Sequence, residues 1–208
     1  MRVGILGGTF DPIHIGHLII AEEARVKINL EKIIFMPAGR PWMKGNQVIT
    51  KPENRWDMTV LATSSNKWFD ASPRELSRTE PTYTVDTLKQ IRSENKNAEM
   101  FFILGQDAVG TFLNWKDPCG ILKLCTIVVA ARPRSQELNI TSLEQRCPGA
   151  SKNVVILNSP LLSFSGTEIR RRVSQGRSIR YMVPSEVEGY IYRNHLYRED
   201  KEARRQDR

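Results

Sequence analysis

The sequence predicts an α/β fold built around a parallel β-sheet. Short apolar runs, which suit buried strands, alternate along the chain with longer segments of helical pattern. Residues 2–37 have the pattern of strand, helix and strand at βαβ spacing, which implies a right-handed crossover between parallel strands. Residues 100–104 are entirely apolar, as expected for a central parallel strand. We therefore predict a Rossmann-like, doubly wound parallel sheet with helices on both faces.

Each predicted element carries a local signature. Pro52 and Glu53 open one helix, because proline and an acidic residue favour the first turn. Thr84 is placed to cap the helix that precedes the central strand. Strands are predicted over residues 2–6, 32–37, 68–72, 100–104, 125–131 and 153–157. Helices are predicted over residues 18–25, 52–64, 82–94, 107–114, 165–172 and 184–195, with a short helix and loops over 134–152.

Length and composition indicate one domain. With 208 residues, 40% of them hydrophobic, the chain can bury a sizeable core. We predict a single domain over residues 1–197 and a charged tail over 198–208. No run approaches the roughly 20 apolar residues of a membrane span, and the N-terminus leads straight into a strand, so we expect neither a span nor a signal peptide. The sequence leaves open whether the chain forms a homo-oligomer.

The cysteines indicate a reducing compartment. Cys119, Cys125 and Cys147 are odd in number and lack the spacing of a metal or redox motif. We therefore expect reduced thiols in a cytoplasmic protein.

The formal charge of +8 fits either nucleic acid or small anionic substrates. Its distribution favours small anions, because residues 163–180 hold five arginines against one acidic residue, whereas the tail offsets five basic residues with four acidic ones. A local cationic cluster suits a polyphosphate, and the basic and aromatic residues do not alternate as in single-strand-binding proteins. We expect no nucleic-acid partner; a steeply salt-dependent affinity for generic DNA would support one.

Residues 7–17, GGTFDPIHIGH, form the strongest motif. Its first two glycines follow a predicted strand and let a ligand approach the backbone with no Cβ in the way. The helix that follows offers unpaired N–H groups and the positive end of its dipole. A strand, a glycine turn and a helix start together indicate a phosphate site.

The two histidines of this motif add chemistry. His14 and His17 are three residues apart, so both lie on one face of the first helical turn, and Gly16 leaves that face open. Two imidazoles aimed at a phosphate can donate hydrogen bonds to charge that grows during phosphoryl transfer. Half of a metal site is the alternative interpretation, but no third ligand is obvious.

Residues 164–172, FSGTEIRRR, form a second motif. Ser165 and Glu168 have the spacing of a capping box, so a helix begins here. A helix start that carries hydroxyl groups, with Arg170 one turn further on, is also an anion site.

These motifs resemble the signature of the HxGH nucleotidyltransferase superfamily, which adenylylates small phosphorylated cofactors. The tetrapeptide HIGH also occurs in class I aminoacyl-tRNA synthetases, but this sequence has no KMSKS-like loop. The resemblance covers residues 1–197 and is strongest to the bacterial nicotinate-nucleotide adenylyltransferases, which make deamido-NAD from ATP and nicotinate mononucleotide. It implies that the catalytic residues are His14, His17, Lys44 and Arg170. The ATP-binding residues that it implies are Gly7, Gly8, Thr9, Phe10, His14, Gly16, His17, Arg132, Ser165, Thr167 and Arg170.

Residues 83–88, YTVDTL, resemble the segment with which this family binds the nicotinate ring. They begin a helix whose free N–H groups would bind the carboxylate. Trp115 would stack on the pyridine, and Lys116, which stands where the family often has an aromatic residue, would add positive charge near the carboxylate if it points inward. The implied nicotinate mononucleotide-binding residues are Lys44, Tyr83, Thr84, Val85, Gly105, Asp107, Trp115 and Lys116.

The resemblance implies in-line attack by the 5′-phosphate of nicotinate mononucleotide on the α-phosphorus of ATP, without a covalent enzyme intermediate. Mg²⁺ would be carried by ATP, with no resident metal site on the protein. Alternatives stay open: the same chemistry on nicotinamide mononucleotide, phosphopantetheine or FMN, or a non-catalytic nucleotide sensor. The segment at Tyr83 argues against phosphopantetheine and FMN, and intact His14, His17 and Arg170 argue against a sensor.

Overall fold

A computed structural model of the chain describes residues 1–40, 48–78, 80–131, 139–160, 162 and 164–198, with the backbone alone described at residues 106, 107 and 131. The strands of these ranges are β1 (Arg2–Gly8), β2 (Lys32–Pro37), β3 (Phe69–Ala71), β4 (Glu99–Leu104), β5 (Thr126–Ala131) and β6 (Val154–Asn158). They form one sheet in the order β3-β2-β1-β4-β5-β6, and every neighbouring pair is parallel. This is the strand order of a Rossmann sheet.

Helices connect the strands. They are α1 (Ile15–Lys27), α2 (Pro52–Thr63), α3 (Thr84–Glu94), α4 (Gln106–Val109), α5 (Pro118–Leu124), α6 (Ile140–Arg146), α7 (Gly166–Ser174) and α8 (Ser185–Arg193). Local signals set several of their starts: Pro52 occupies the first turn of α2, and the side chain of Ser165 caps α7 by accepting the N–H of Glu168 at 3.3 Å. Within the described ranges, none of the helices is long and apolar enough to cross a bilayer.

Apolar side chains cover both faces of the sheet. One cluster joins α1, α2, α7 and α8 to the sheet and includes the buried Phe35 and Ile169. The other joins α3, α5 and α6 to the opposite face and includes the buried Leu88 and Ile121. A core on each face confirms the predicted doubly wound arrangement.

Two details of the predicted helices are wrong. The helix expected over residues 107–114 is interrupted at Gly110, and only the short α4 and a 3₁₀ turn at Phe112–Asn114 form. Glycine weakens a helix interior because it loses more backbone entropy than any other residue. Tyr83 rather than Thr84 is the N-terminal cap residue of α3, and Thr84 is the first helical residue.

The expectation of three reduced thiols is also wrong. Cys119 on α5 and Cys147 at the end of α6 form a disulfide, with Cα atoms 5.4 Å apart and a sequence separation of 28. Cys125 alone is a free thiol; it is buried, and burial raises its pKa to about 12. Only the tertiary structure shows this pairing, because the spacing of the two cysteines in the sequence does not predict it.

Candidate active site

The segments that carry the sequence motifs meet at the carboxyl edge of the sheet. Gly7 and Gly8, predicted as a turn after the strand, are instead the last two residues of β1, and the rest of the first motif follows them. The stretch from residue 38 follows β2, and Gly105 follows β4. The second motif follows β6 after residue 164. Because all strands are parallel, their carboxyl ends lie along one edge, where open α/β sheets bind ligands.

His14 and His17 lie together at the start of α1. Their rings are stacked, with centroids 3.7 Å apart and planes inclined by 23°. The backbone N–H of His14 donates to Nδ1 of His17 at 3.1 Å. An Nδ1 that accepts a hydrogen bond carries no proton, so the proton of His17 is on Nε2, which is then a donor.

Both imidazoles are neutral near pH 7. Burial lowers the pKa of His14 from 6.5 to about 4. Burial also lowers the pKa of His17, and the neighbouring charge of a protonated His14 lowers it further. His14 is 9% exposed, and its Nδ1 is one of the buried polar atoms without a hydrogen-bond partner in the described part of the chain. Such an atom is expected where a ligand completes the bonding.

Glycines hold this arrangement open. A Cβ at Gly16 would stand 3.0 Å from Nδ1 of His14, and one at Gly8 would stand 2.7 Å from the ring of Phe10. Phe10 itself has a φ of 49°, in the left-handed region, and its ring packs edge-on against His17 with centroids 5.0 Å apart. Larger residues at the two glycines would therefore displace the histidine pair.

The second motif packs directly against the first. Arg170 donates from Nη1 to the backbone oxygen of Asp11 at 2.6 Å and from Nη2 to Oγ1 of Thr167 at 3.4 Å. The carbonyl of Asp11 lies so close to α7 that a Cβ at Gly166 would stand 2.9 Å from it. Because Gly166 has no side chain, there is room for that carbonyl.

Two buried polar residues of the site were not predicted from the sequence. Asp11 accepts the hydroxyl of Tyr197 on Oδ1 at 2.7 Å and the backbone N–H of Thr50 on Oδ2 at 3.2 Å. Arg55, which is 1% exposed, is the other. Asp11 lay within the motif but its partners are distant in sequence, and an arginine on the first turn of a helix has the appearance of a surface residue.

Arg55 joins three backbone segments. It donates to the carbonyl oxygens of Thr9 at 2.8 Å, Ala38 at 2.6 Å, Gly39 at 3.1 Å and Thr50 at 3.0 Å. The planar guanidinium can make four such bonds at once, which a lysine cannot. Burial lowers the pKa of Arg55, opposed by the nearby charge of Asp11. The residue thereby fixes the glycine turn to both ends of the segment that follows β2.

A second group of predicted residues lies around the start of α3. Nζ of Lys116 donates to Oδ2 of Asp86 at 3.0 Å and lies 4.3 Å from the ring centroid of Tyr83. Lys116 and Asp86 are exposed, with side-chain exposures of 51% and 44%. Lys116 therefore points toward the first turn of α3, and Thr84 and Val85 supply backbone N–H groups at that helix start.

The Trp115 side chain lies between the residues at the start of α3 and the glycines at the end of β1. Its ring packs edge-on against Phe102, with centroids 6.0 Å apart. The ring of Phe102 lies 3.2 Å from where a Cβ of Gly7 would be. A Cβ added to Gly105, which directly follows β4, would meet no other atom within 4 Å. The residues predicted for the phosphates and for the pyridine thus flank one edge of the sheet.

Three predicted site residues cannot be placed by their side chains. Lys44 and Arg132 lie outside the described residues, and only the backbone of Asp107 is described, within α4.

In the described ranges, no three His, Cys, Asp or Glu side chains are grouped so that they could hold a metal ion. His14 and His17 contribute two nitrogen atoms at most, and structural or catalytic zinc takes at least three protein ligands.

A parallel sheet with a phosphate-type site at its carboxyl edge defines a nucleotide-binding α/β protein. The family model described as cytidylyltransferase-like matches residues 5–172. A relative from Leifsonia xyli subsp. xyli (strain CTCB07), named probable nicotinate-nucleotide adenylyltransferase, is 43% identical over 197 residues, covering 95% of this chain and 94% of the relative. One of the same name from Thermoanaerobacter sp. (strain X514) is 41% identical over 204 residues, covering 97% of each. The chain belongs to the cytidylyltransferase-like family and, within it, to the nicotinate-nucleotide adenylyltransferases.

Solved structures agree on the fold. The nicotinic acid mononucleotide adenylyltransferase of Plasmodium falciparum complexed with NaAD superimposes with a TM-score of 0.77, at 20% identity, over 94% of this chain and 97% of that one. The same protein complexed with APC gives a TM-score of 0.75, at 20% identity, over 94% and 96%. At this identity the likeness concerns the fold.

Proposed function

We propose that this protein transfers the adenylyl group of ATP to nicotinate mononucleotide, giving nicotinate adenine dinucleotide and pyrophosphate in NAD biosynthesis. The observation that carries the proposal is the neutral, stacked histidine pair at the start of α1, beside Arg170 of the second motif. Family membership supports the same activity. We expect it to act on small-molecule substrates in the cytoplasm and without nucleic acid, although the Cys119–Cys147 disulfide removes the argument from reduced thiols.

The reaction needs charge stabilisation and positioning more than covalent chemistry. An oxygen of the acceptor 5′-phosphate forms a bond to the α-phosphorus of ATP, and the bond from that phosphorus to the bridging oxygen of pyrophosphate breaks in line. Nε2–H of His17 donates to a non-bridging oxygen as charge grows on it. A neutral imidazole donates at a fixed position, so it needs no change of protonation during the step.

The leaving pyrophosphate would bind at the second motif. The N–H of Thr167 and the hydroxyls of Ser165 and Thr167 lie at the N-terminus of α7, where the helix dipole favours an anion. Arg170 adds a charged donor on the same side. The substrate is MgATP, since magnesium binds chiefly through phosphates and water. We propose further phosphate contacts from Lys44 and Arg132.

The acceptor would bind between α3 and Trp115. The free N–H groups of Thr84 and Val85 would bind the nicotinate carboxylate, with Lys116 adding positive charge. Trp115 would stack on the pyridine ring. We propose that Gly105 and Asp107 contact the ribose.

Pyrophosphate release tests the proposal. The purified protein is given MgATP with nicotinate mononucleotide, nicotinamide mononucleotide or phosphopantetheine in parallel reactions. We expect strong preference for the nicotinate form. Preference for nicotinamide would keep the mechanism and overturn the carboxylate site at α3. Folded protein that binds ATP but releases no pyrophosphate with any acceptor would contradict the proposal and favour a nucleotide sensor.

A further inference from the structure

Asp11 and Arg170 form only a long ion pair, without a hydrogen bond between the guanidinium and the carboxylate. Nη1 of Arg170 is 4.0 Å from Oδ2 of Asp11, whose side chain is 5% exposed. The same Nη1 instead donates to the backbone oxygen of Asp11 at 2.6 Å. The arginine side chain is 32% exposed. Its guanidinium has five N–H groups, so this arrangement leaves donors available to a phosphate.

Two other groups hold the Asp11 carboxylate. The hydroxyl of Tyr197 donates to Oδ1 at 2.7 Å, and the N–H of Thr50 donates to Oδ2 at 3.2 Å. Each carboxylate oxygen therefore has one strong partner other than Arg170. A carboxylate that lost one partner would turn toward the guanidinium, because a bidentate Arg–carboxylate pair is the stronger alternative.

Tyr197 is well suited to this task. It lies beyond the end of α8, in a turn where its φ is 62°, and its hydroxyl also contacts Sδ of Met58 at 4.0 Å. Burial and the charge of Asp11 raise its pKa, so the hydroxyl keeps its proton and acts as a donor toward Asp11.

We propose that Tyr197 is a positioning residue for Arg170, acting through Asp11. Its hydroxyl retains the Asp11 carboxylate and so keeps the guanidinium available to the phosphates of ATP. The inference rests on the proposed function, which assigns Arg170 to those phosphates. It assigns a part in that site to a residue that is 186 positions from Asp11 in the sequence.

The test compares two tyrosine variants. Tyr197→Phe removes the hydroxyl that holds Asp11. Tyr190→Phe is the control, because the Tyr190 hydroxyl likewise bonds a carboxylate, that of Asp57 at 2.7 Å, together with Oδ1 of Asn54 at 2.9 Å, but on α2 rather than at the motif. The melting temperatures of both variants are measured, so that a loss of stability is separated from a loss of ATP affinity.

ATP affinity is measured by titration calorimetry without acceptor, and KM and kcat by pyrophosphate release. We expect Tyr197→Phe to weaken ATP binding about tenfold, the scale of one charge-assisted hydrogen bond, with a smaller change in kcat. Tyr190→Phe should bind ATP like the wild type. Unchanged ATP affinity in Tyr197→Phe, or equal losses in both variants, would overturn the proposal.

A second pair of variants isolates the charge. In Asp11→Asn the side chain cannot form an ion pair with Arg170, so adding Tyr197→Phe should not weaken ATP binding further. A further loss in the double variant would contradict the role assigned to the carboxylate. Binding of ATP is read without acceptor, so a failure of nicotinate mononucleotide as substrate would be seen separately.

Discussion

The phosphate side and the pyridine side of the candidate site are built differently. On the phosphate side Arg55 is 1% exposed, Asp11 is 7% exposed and His14 is 9% exposed, and the side chains of Arg55 and Asp11 bond to backbone groups. On the pyridine side the charged pair Lys116–Asp86 is about half exposed and bonded only through side chains. The first side is held largely by bonds to the main chain, and the second consists of exposed side chains.

From this difference we expect the phosphate side to determine the reaction rate and the pyridine side to determine the choice of acceptor. Groups that stabilise a transition state must stand at fixed positions, and buried bonds to the main chain provide that. Groups that choose between nicotinate and nicotinamide need only add charge near one substituent, and an exposed lysine can do so at small cost. We therefore expect changes on the phosphate side to affect turnover or stability strongly, and changes on the pyridine side to affect acceptor choice mildly.

The largest effect should come from His17→Ala. Loss of the Nε2–H donor should lower kcat by about 10²–10³-fold, the usual result of removing one donor to developing charge. Stopped or coupled pyrophosphate assays measure the rate, and circular dichroism checks the fold. His195→Ala, at an exposed position after α8, is the control and should be fully active. A folded His17→Ala protein with wild-type turnover would remove His17 from the mechanism.

Arg55→Met should cost stability. Four carbonyl oxygens lose their donor, and even partial rescue by water leaves a loss of about 3 kcal/mol in the free energy of unfolding. Urea denaturation measures it. The matched control is the exposed Arg177→Met, which should change the free energy by no more than about 0.5 kcal/mol. Equal stabilities of the two variants would show that the buried guanidinium is dispensable.

The histidine pair should make stability depend on pH. The folded-state pKa of His14 lies near 4, below its ordinary 6.5, so between these values the unfolded chain binds more protons. The stabilising contribution of neutral His14 to the free energy of unfolding should therefore be complete above pH 6.5 and should decrease as the pH falls toward 4. Denaturation of His14→Gln across this range should give a shallower slope. Parallel curves for the two proteins would mean that His14 is not held neutral by burial.

The smallest effect should come from Lys116→Met. Removing one exposed charge should lower kcat/KM for nicotinate mononucleotide about threefold, with little change for nicotinamide mononucleotide. Lys123→Met, at an exposed position on α5, controls for loss of net charge and should leave the preference unaltered. An unchanged ratio of the two acceptors in Lys116→Met would exclude a part in selectivity.

Local motifs predicted one part of the site well. His14 is the N-cap residue of α1 and not part of its first turn as predicted, but it still lies beside His17, the third helical residue. Ser165 caps α7 because a serine oxygen suits a free N–H group. Both follow from interactions within four residues. The cap of α3 was missed by one position, since several residues near Thr84 can begin that helix.

Contacts between residues that are distant in the sequence could not be predicted from such local motifs. Arg55 meets Thr9 across 46 residues and Asp11 meets Tyr197 across 186. The disulfide joins Cys119 to Cys147 across 28. Nothing in the sequence around a single arginine, aspartate or cysteine indicates which distant residue it will contact.

The sequence by itself determined the parallel α/β sheet, the two helix-start motifs and the family, because apolar periodicity, capping and glycine turns act over a few residues. The tertiary structure alone decided which carbonyls Arg55 binds, that Asp11 stands between Arg170 and Tyr197, and that two cysteines pair. These features depend on the approach of segments that are distant along the chain. That approach is set by how the helices pack on the two faces of the sheet.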